Sequence, residues 1–414
     1  MSRLKRFREL MRTLDPSGDP KLAIERDWYI ERPEGMGVAQ QVASRLELEP
    51  WSRHLIVGGI GSGKTTELLR INAALGEARQ AGDVASYVDV AAQTRLDRVG
   101  CGTLVALAGT QLGAKAQRRA RLAKEELPAT VTKVAQWFAE FAHGYEVESQ
   151  PPSDEEWEAL DVDDGGEYEP PLMERVPGVL SPEPPIDETL RPAVAKLKVL
   201  RAAATPHDGH CAFLFDSLDR TKDPDAFITA IKDDVRVLQR AEIGVVVVGP
   251  LRFRYGEDRR IVDLFDDVHF LPEIPPTDKT GRTFLTDILA KRAPDDILPR
   301  GPRVAIARGS GGVLRDLVAI AKGAAREAYG AGADAISLEH VEQAIDQHGR
   351  VLAVGLDGEQ VKALRKVRDK GTLVVRGPRE ITLLETRRVL DYGRGRFVVH
   401  PALAPLLDAM TEAA

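Results

Sequence analysis

The sequence predicts an α/β protein: a parallel sheet around a phosphate-binding glycine loop, flanked by helices, then a helical lid and a winged helix. Three observations predict it. A strand-like apolar run from His54 to Gly58 opens directly into glycines and then into the helical spacing of Leu68, Leu69, Ile71 and Leu75. Further apolar runs at Val84–Val90, Ala212–Phe215, Ile243–Val248 and Val268–Leu271 do not alternate with polar residues, as in parallel strands covered on both faces. Beyond Pro276 the pattern becomes helices with short loops to about Gln347, followed by helix, strand, helix and a glycine-turned hairpin.

A chain of 414 residues exceeds one ordinary hydrophobic core. The expected organisation is a basic N-terminal helix over 1–26, a nucleotide-binding core over 27–276, a helical lid over 277–348 and a winged-helix domain over 349–414. About 120 residues separate the second and third strands, too many for a crossover, so an insertion is expected at about 91–205. Within it Thr103–Tyr145 reads as helical, whereas Gln150–Pro185 combines acid clusters with Pro-Pro pairs and is expected to be disordered. That acidic stretch is either a solvated spacer or a docking strip for a basic partner. The last domain reads as a helix at Asp357–Arg368, a short strand at Thr372–Val375 and a helix at Glu380–Arg387. Its hairpin arms, Arg388–Tyr392 and Arg396–His400, are joined by Gly393-Arg394-Gly395.

Composition narrows the classes. The two cysteines, Cys101 and Cys211, are far apart, which argues against a disulfide framework or metal cluster and suits a reducing compartment. The basic first twelve residues precede no apolar stretch of the kind a secretory signal carries, and no apolar run reaches about 18 residues. A soluble cytoplasmic protein without a membrane partner is the expectation. The net charge of −7 is uneven. Between Gln150 and Glu188 thirteen acidic residues face the single Arg175, and outside that segment basic residues outnumber acidic ones by five. Acidity therefore does not exclude a DNA partner, although no long basic tract argues for one.

Gly58-Gly59-Ile60-Gly61-Ser62-Gly63-Lys64-Thr65, continued by Thr66, satisfies G-x-x-x-x-G-K-[ST] between a predicted strand and a predicted helix. The glycines let backbone N–H groups converge on a β-phosphate, and the helix adds its positive end. Lys64 then bridges the β- and γ-phosphates, and the Thr65 hydroxyl ligates Mg²⁺. ATP is the expected nucleotide, with GTP second because no Asn-Lys-x-Asp motif follows the loop. A partner acid is expected at the end of a neighbouring strand, and Cys211–Asp216 supplies it. Asp216 is the candidate anchor of the Mg²⁺ shell; Asp219 either orients the attacking water or caps a helix.

From these residues onward the order of motifs resembles the AAA+ and STAND branch of P-loop ATPases, over roughly Asp27 to Ala414 apart from the acidic insert. The resemblance implies a γ-phosphate sensor just past the fourth strand, where Arg252 stands, with an ordinary surface arginine as the alternative. Ser310-Gly311-Gly312-Val313-Leu314-Arg315 resembles the second sensor segment of the lid, which aims Arg315 at the nucleotide; Leu314 stands where the family has proline. Phe397-Val398-Val399-His400-Pro401 resembles the segment whose histidine contacts the β-phosphate of ADP, with Val399 and Pro401 in place of Met and Asp. Trp28-Tyr29-Ile30-Glu31-Arg32-Pro33 matches the adenine region, so Tyr29 or Ile30 flanks the base or packs in a core. Arg254, Arg259 and Arg260 sit where arginine fingers act from a neighbouring subunit.

The function so implied is a slow regulatory ATPase that switches between a closed monomer and an assembled form, its output carried by a separate effector protein. Bacterial relatives of this kind act in defence against phage. The alternative is a DNA-binding AAA+ ATPase of the origin-binding, loader or transposition type, using Arg387, Arg388, Arg394 and Arg396 around the hairpin. A metabolic kinase is disfavoured because no phosphoacceptor pocket is legible.

Overall fold

The computed structural model describes residues 2–15, 20–77, 84–143, 186–205, 209–221, 224–255 and 263–410. The acidic stretch Gln150–Pro185 and the finger candidates Arg259 and Arg260 lie outside the described residues. Five strands, β1 (Arg53–Gly58), β2 (Val84–Asp89), β3 (Cys211–Asp216), β4 (Ile243–Gly249) and β5 (Asp267–Leu271), form one sheet in the order β2-β3-β4-β1-β5. The β1–β5 and β2–β3 pairs are parallel, with Gly58 opposite Leu271 and Asp89 opposite Asp216. The fold is therefore the expected α/β sheet flanked by helices, followed by a helical C-terminal region. Each strand falls within two residues of its apolar run. Every residue of β3 and β4 is buried, which is why those runs show no alternation.

The chain divides into two compact units. The first comprises Met1–Arg45, His54–Glu77 and Val247–Ala414. One of its cores lies among the helices Lys279–Arg292, Arg300–Gly309, Leu314–Gly330 and Leu338–Ala353, and it also buries Phe7, Leu10 and Leu14. The basic helix Arg3–Thr13 is thus amphipathic, with its apolar face docked. Arg3 donates to the Ala333 carbonyl at 2.9 Å and lies 4.4 Å from the Tyr329 ring centre. A second core gathers Leu364, Val367, Leu383 and Leu384 beneath an antiparallel hairpin of β6 (Val389–Asp391) and β7 (Phe397–Val399). The helices there are Gly358–Lys370, capped by the Asp357 carboxylate, and Pro378–Glu385. The expected strand at Thr372–Val375 does not form. Leu373 and Val375 pack on the second core, and the ladder consists of β6 and β7 alone. Thr372 and Val374 are exposed and the segment has no partner strand among the described residues to supply the hydrogen bonds.

The second unit comprises Leu46–Arg53 and Ala78–Val246. The helical reading of Thr103–Tyr145 resolves into two helices, Thr103–Ala123 and Ala129–His143. Lys124 turns left-handed at φ 55° and ends the first. Gly109 lets the two approach, since a Cβ there would stand 2.1 Å from the Phe138 ring. Cys101 and Cys211 are both free thiols. Among the described residues no helix is long and apolar enough to cross a membrane.

Candidate nucleotide site

The glycine loop leaves β1 at Gly58 and enters the helix Lys64–Glu77 through two left-handed glycines, Gly61 at φ 83° and Gly63 at φ 96°. Its carbonyls are held by cations. Lys64 Nζ donates to Gly58 O at 3.0 Å and Gly59 O at 2.9 Å, and Arg32 Nη2 donates to Ser62 O. In a trans peptide the N–H points opposite to the C=O, and no cis bond occurs among the described residues. Turning those three carbonyls toward Lys64 and Arg32 therefore turns the N–H groups of Gly59, Ile60 and Gly63 the other way. That is an anion cradle set by the protein's own charges.

Arg32 is itself fixed. It is buried, its Nε lies 3.5 Å from Glu67 Oε1, and Glu67 Oε2 accepts from the backbone of Val38 and Ala39 at 2.8 and 3.1 Å. Burial lowers the Arg32 pKa, and the Glu67 carboxylate opposes that shift.

The loop is also packed. A Cβ on Gly61 would stand 2.6 Å from Arg315 Cβ, and one on Gly63 would stand 3.2 Å from Leu314 Cδ1. The start of the helix Leu314–Gly330 therefore lies directly on the glycine loop, and Arg315 is placed there. Leu314, in the position that the resembled family fills with proline, supplies the contact to Gly63. On the other side a Cβ on Gly59 would stand 2.2 Å from Glu273 Oε1. Burial pushes the Glu273 carboxyl up to about 7, with Asp391 adding to the rise and Lys64 and Arg32 opposing it.

In the second unit Asp216 ends β3, buried, accepting from Tyr87 Oη at 2.9 Å and from Ser217 N at 2.7 Å. Ser217 then turns left-handed at φ 70° and donates its hydroxyl to Asp89 Oδ1 at 2.7 Å. Two carboxylates thus stand side by side at the ends of paired strands. Asp219, partly exposed, sits in the 3₁₀ turn Leu218–Arg220.

Other candidates take different surroundings. Thr65 and Thr66 are half-buried in the first helical turn, Ser62 is buried and Ile60 is exposed. The Arg70 guanidinium lies 4.8 Å from the Tyr29 ring centre, and Ile30 packs on the first core. Burial, reinforced by Glu67, raises the Tyr29 hydroxyl pKa. Arg252 forms a two-point ion pair with Glu385, at 2.9 and 3.1 Å, and Arg254 lies over Phe270.

His400 is fully buried; its Nδ1 accepts from Ala402 N at 3.2 Å and its Nε2 lies 3.4 Å from Asp316 Oδ2. Reaching a phosphate from there would require the ring to leave Asp316. Burial alone would raise the Asp316 carboxyl, but His348, His400 and Arg387 hold it well below the usual carboxylate range. His400 is shifted down by burial, against the pull of Asp316.

Sequence reasoning missed Arg32, Glu67, Glu273 and Asp89. Arg32 and Asp89 carried a signal: one stands in the segment read for adenine contacts, the other ends an apolar run as Asp216 does. Glu67 and Glu273 meet the loop only through the tertiary fold.

No protein-family model matches the sequence, and no curated protein matches it. Among solved structures, the chain is similar to Aeropyrum pernix ORC1 in complex with DNA, at 17% identity and a TM-score of 0.42, over 92% of this chain and 94% of that one. It is also similar to Cdc6p from Pyrobaculum aerophilum, at 14% identity and a TM-score of 0.40, over 97% of both chains. A third is the Thermotoga maritima RuvB Holliday junction branch migration motor, at 13% identity and a TM-score of 0.39, over 92% of this chain and 98% of that one. At such low scores the likeness carries no weight for the chemistry, which rests on the loop and the groups around it.

Proposed function

We propose that this chain is an ATP-binding and ATP-hydrolysing regulatory switch of STAND/AAA+ type, whose nucleotide state controls its own assembly or a separate effector protein. The observation that carries the reading is the seating of the Leu314–Gly330 helix on the glycine loop, with Arg315 Cβ 2.6 Å from the place of a Gly61 Cβ. A group bound in the loop then meets a helix whose next residue, Asp316, is tied to the hairpin region through Arg387 and His400. Phosphate occupancy and the position of the C-terminal elements are in this way made interdependent. A ligand shifts such an equilibrium only by its differential affinity for the two arrangements.

In this reading Gly58 to Thr66 hold the phosphates, and Lys64 moves from the loop carbonyls to the β- and γ-oxygens. Arg315 compensates their charge, Tyr29 lies toward the base, and Asp219 orients the attacking water. The Thr65 hydroxyl and the Asp216 carboxylate are hard oxygen donors of the kind Mg²⁺ takes, and the ion would neutralise charge on the transferred phosphate. His400 enters through Asp316 rather than by touching phosphate.

The test is nucleotide binding, hydrolysis and light scattering on the full chain with ATP, ADP and neither. A folded protein that binds no ATP, or whose assembly and partner binding ignore the nucleotide, sinks the reading.

A second reading, a DNA-binding AAA+ ATPase, is favoured by the exposed turn of the hairpin, with Arg394 at its tip and Arg396, also exposed, donating to Thr277 Oγ1 at 2.7 Å, a bond that phosphate would have to replace. Arg387 and Arg388 are committed elsewhere, to Asp316 and to the Leu352 and Val354 carbonyls. Two phosphate contacts from the hairpin give a slope of log affinity against log salt of about −2. A gel shift that stays negative at low salt with ATP present eliminates it.

A further inference from the structure

The glycine loop leaves one end of β1, and a different chemistry gathers at the other. In the parallel register His54 faces Asp267, and His269 follows two residues along β5, so all three side chains project from one face of two adjacent strands. His54 Nδ1 lies 3.1 Å from His269 Nε2 and 3.7 Å from Asp267 Oδ2, and the three ligand atoms all lie within 4.8 Å of one another. We propose that His54, Asp267 and His269 form a binding site for a zinc-class divalent transition metal, at the start of β1 and β5, roughly 13 Å along the strand from the glycine loop.

Geometry carries the inference. Tetrahedral zinc with bonds of about 2.0–2.1 Å places its ligand atoms roughly 3.3–3.4 Å apart, and the observed separations of 3.1 and 3.7 Å straddle that edge. The donors, two imidazoles and one carboxylate, are the set of an open site. Both histidines are buried, whereas the Asp267 side chain is 43% exposed, which leaves the fourth position on the solvent side.

The tautomers of the two rings must also suit a metal. In the ion-free pair one of the two facing nitrogens donates to the other. Metal binding requires lone pairs on both, so that one ring exchanges its proton to the far nitrogen through solvent, with no net change in charge.

The second His-His-Asp cluster, Asp316 with His348 and His400, provides the contrast. There Arg387 donates directly to Asp316 Oδ1, and a guanidinium in contact with the would-be ligand opposes a dication. At Asp267 the corresponding arginine, Arg45, forms an ion pair at 3.8 Å from Oδ2, beyond the distance of a direct hydrogen bond.

The experiment is a titration of the chelator-stripped full chain, without nucleotide, with Zn²⁺ by calorimetry and with Co²⁺ by visible absorption. Expected are one ion per chain and the intense d–d bands of a tetrahedral cobalt site. Asp267→Asn, at a half-exposed position, and His269→Gln should each weaken binding at least ten-fold, and His348→Gln should not. If His269→Gln fails to fold by circular dichroism, Asp267→Asn together with the wild-type cobalt spectrum decides. No stoichiometric binding by the folded wild type overturns the proposal, leaving a hydrogen-bonded histidine pair. So does binding that survives Asp267→Asn, or that His348→Gln abolishes.

Discussion

Two helices in this chain begin in nearly the same way and end up with opposite chemistry. Lys64–Glu77 follows Gly63 at φ 96°, and Thr103–Ala123 follows Gly102 at φ 93°. Each start presents backbone N–H groups without intrahelical partners and the positive end of a helix. At the second start the protein answers with its own anion. Asp234, fully buried, accepts from Gly102 N at 2.5 Å, Leu104 N at 2.6 Å and Val105 N at 3.3 Å. At the first start the groups that bond the loop are cations, Lys64 and Arg32, which hold its carbonyls, while the nearby acids Glu67 and Glu273 stand beside Arg32 and Gly59. A glycine-led helix start filled by a carboxylate is a structural joint; one lined by cations is built for an anion that arrives from outside. The motif alone does not distinguish them, but the sign of the nearest side chain does.

The largest expected effect tests that sign directly. Lys64→Ala should weaken ATP by about 100-fold or more, close to 3 kcal/mol, because the charge-assisted contact to the phosphates is lost from the cradle. Folding stability should change less, since the loop's shape also rests on the left-handed Gly61 and Gly63 and on Arg32 holding the Ser62 carbonyl. Unchanged affinity in a calorimetric titration would remove the nucleotide from this loop. At the other helix the outcome should invert. Asp234→Ala should cost about 3 kcal/mol of stability by leaving three amides without their acceptor, and ATP affinity of the folded fraction should hold. A urea midpoint equal to the wild type would show that water replaces the carboxylate at no cost.

This contrast also explains what could be read in advance. The strands and the loop were legible because each depends on local order: unalternating apolar runs, and glycines between a strand and a helix. Arg315 came from the resemblance of Ser310–Arg315 to a lid segment rather than from local order, and the structure sets its Cβ against Gly61. Asp234 was not, because it caps a helix 132 residues away in sequence, and nothing in its own neighbourhood marks the residue it will meet. Glu273 was missed on the same ground. Arg252 shows the opposite limit, since its place after β4 was right while Glu385 takes its guanidinium.

A third prediction sharpens the comparison by making one change at both helix starts. Gly61→Ala and Gly102→Ala each force an L side chain into a left-handed backbone, at about 1–2 kcal/mol. The neighbours differ. The new methyl at 61 would meet Arg315 Cβ at 2.6 Å, whereas at 102 it would meet the edge of the Phe141 ring at 3.0 Å. Gly61→Ala should therefore shift the Leu314–Gly330 helix and lower ATP affinity along with the melting temperature, and Gly102→Ala should lower the melting temperature alone. Equal losses of affinity in both would mean that the helix at Leu314 does not sense the loop.

The effect that depends on pH concerns the buried acid that each helix start keeps nearby. Burial pushes Asp234 up to about 7 against its three amides, and it pushes Glu273, beside Gly59, up to about 7 as well. For Glu273 the unfolded carboxyl titrates at about 4.5. Below that value both states are protonated and the group does not affect stability. Between about 4.5 and about 7 the folded state keeps a proton that the unfolded state has released, so stability falls as pH rises, and above about 7 the whole contribution is lost. Glu273→Gln carries the shape of the protonated acid and does not titrate. It should match the wild type near pH 4 and exceed it by about 1–3 kcal/mol near pH 8, read from urea midpoints at the two values. Asp234 remains in both proteins, so its own loss of stability with rising pH cancels in the difference. If the two midpoints stay parallel across that range, Glu273 is ionised beside Lys64 and Arg32 in the folded protein, and the loop's positive field reaches further along the cradle than the carbonyl contacts alone require.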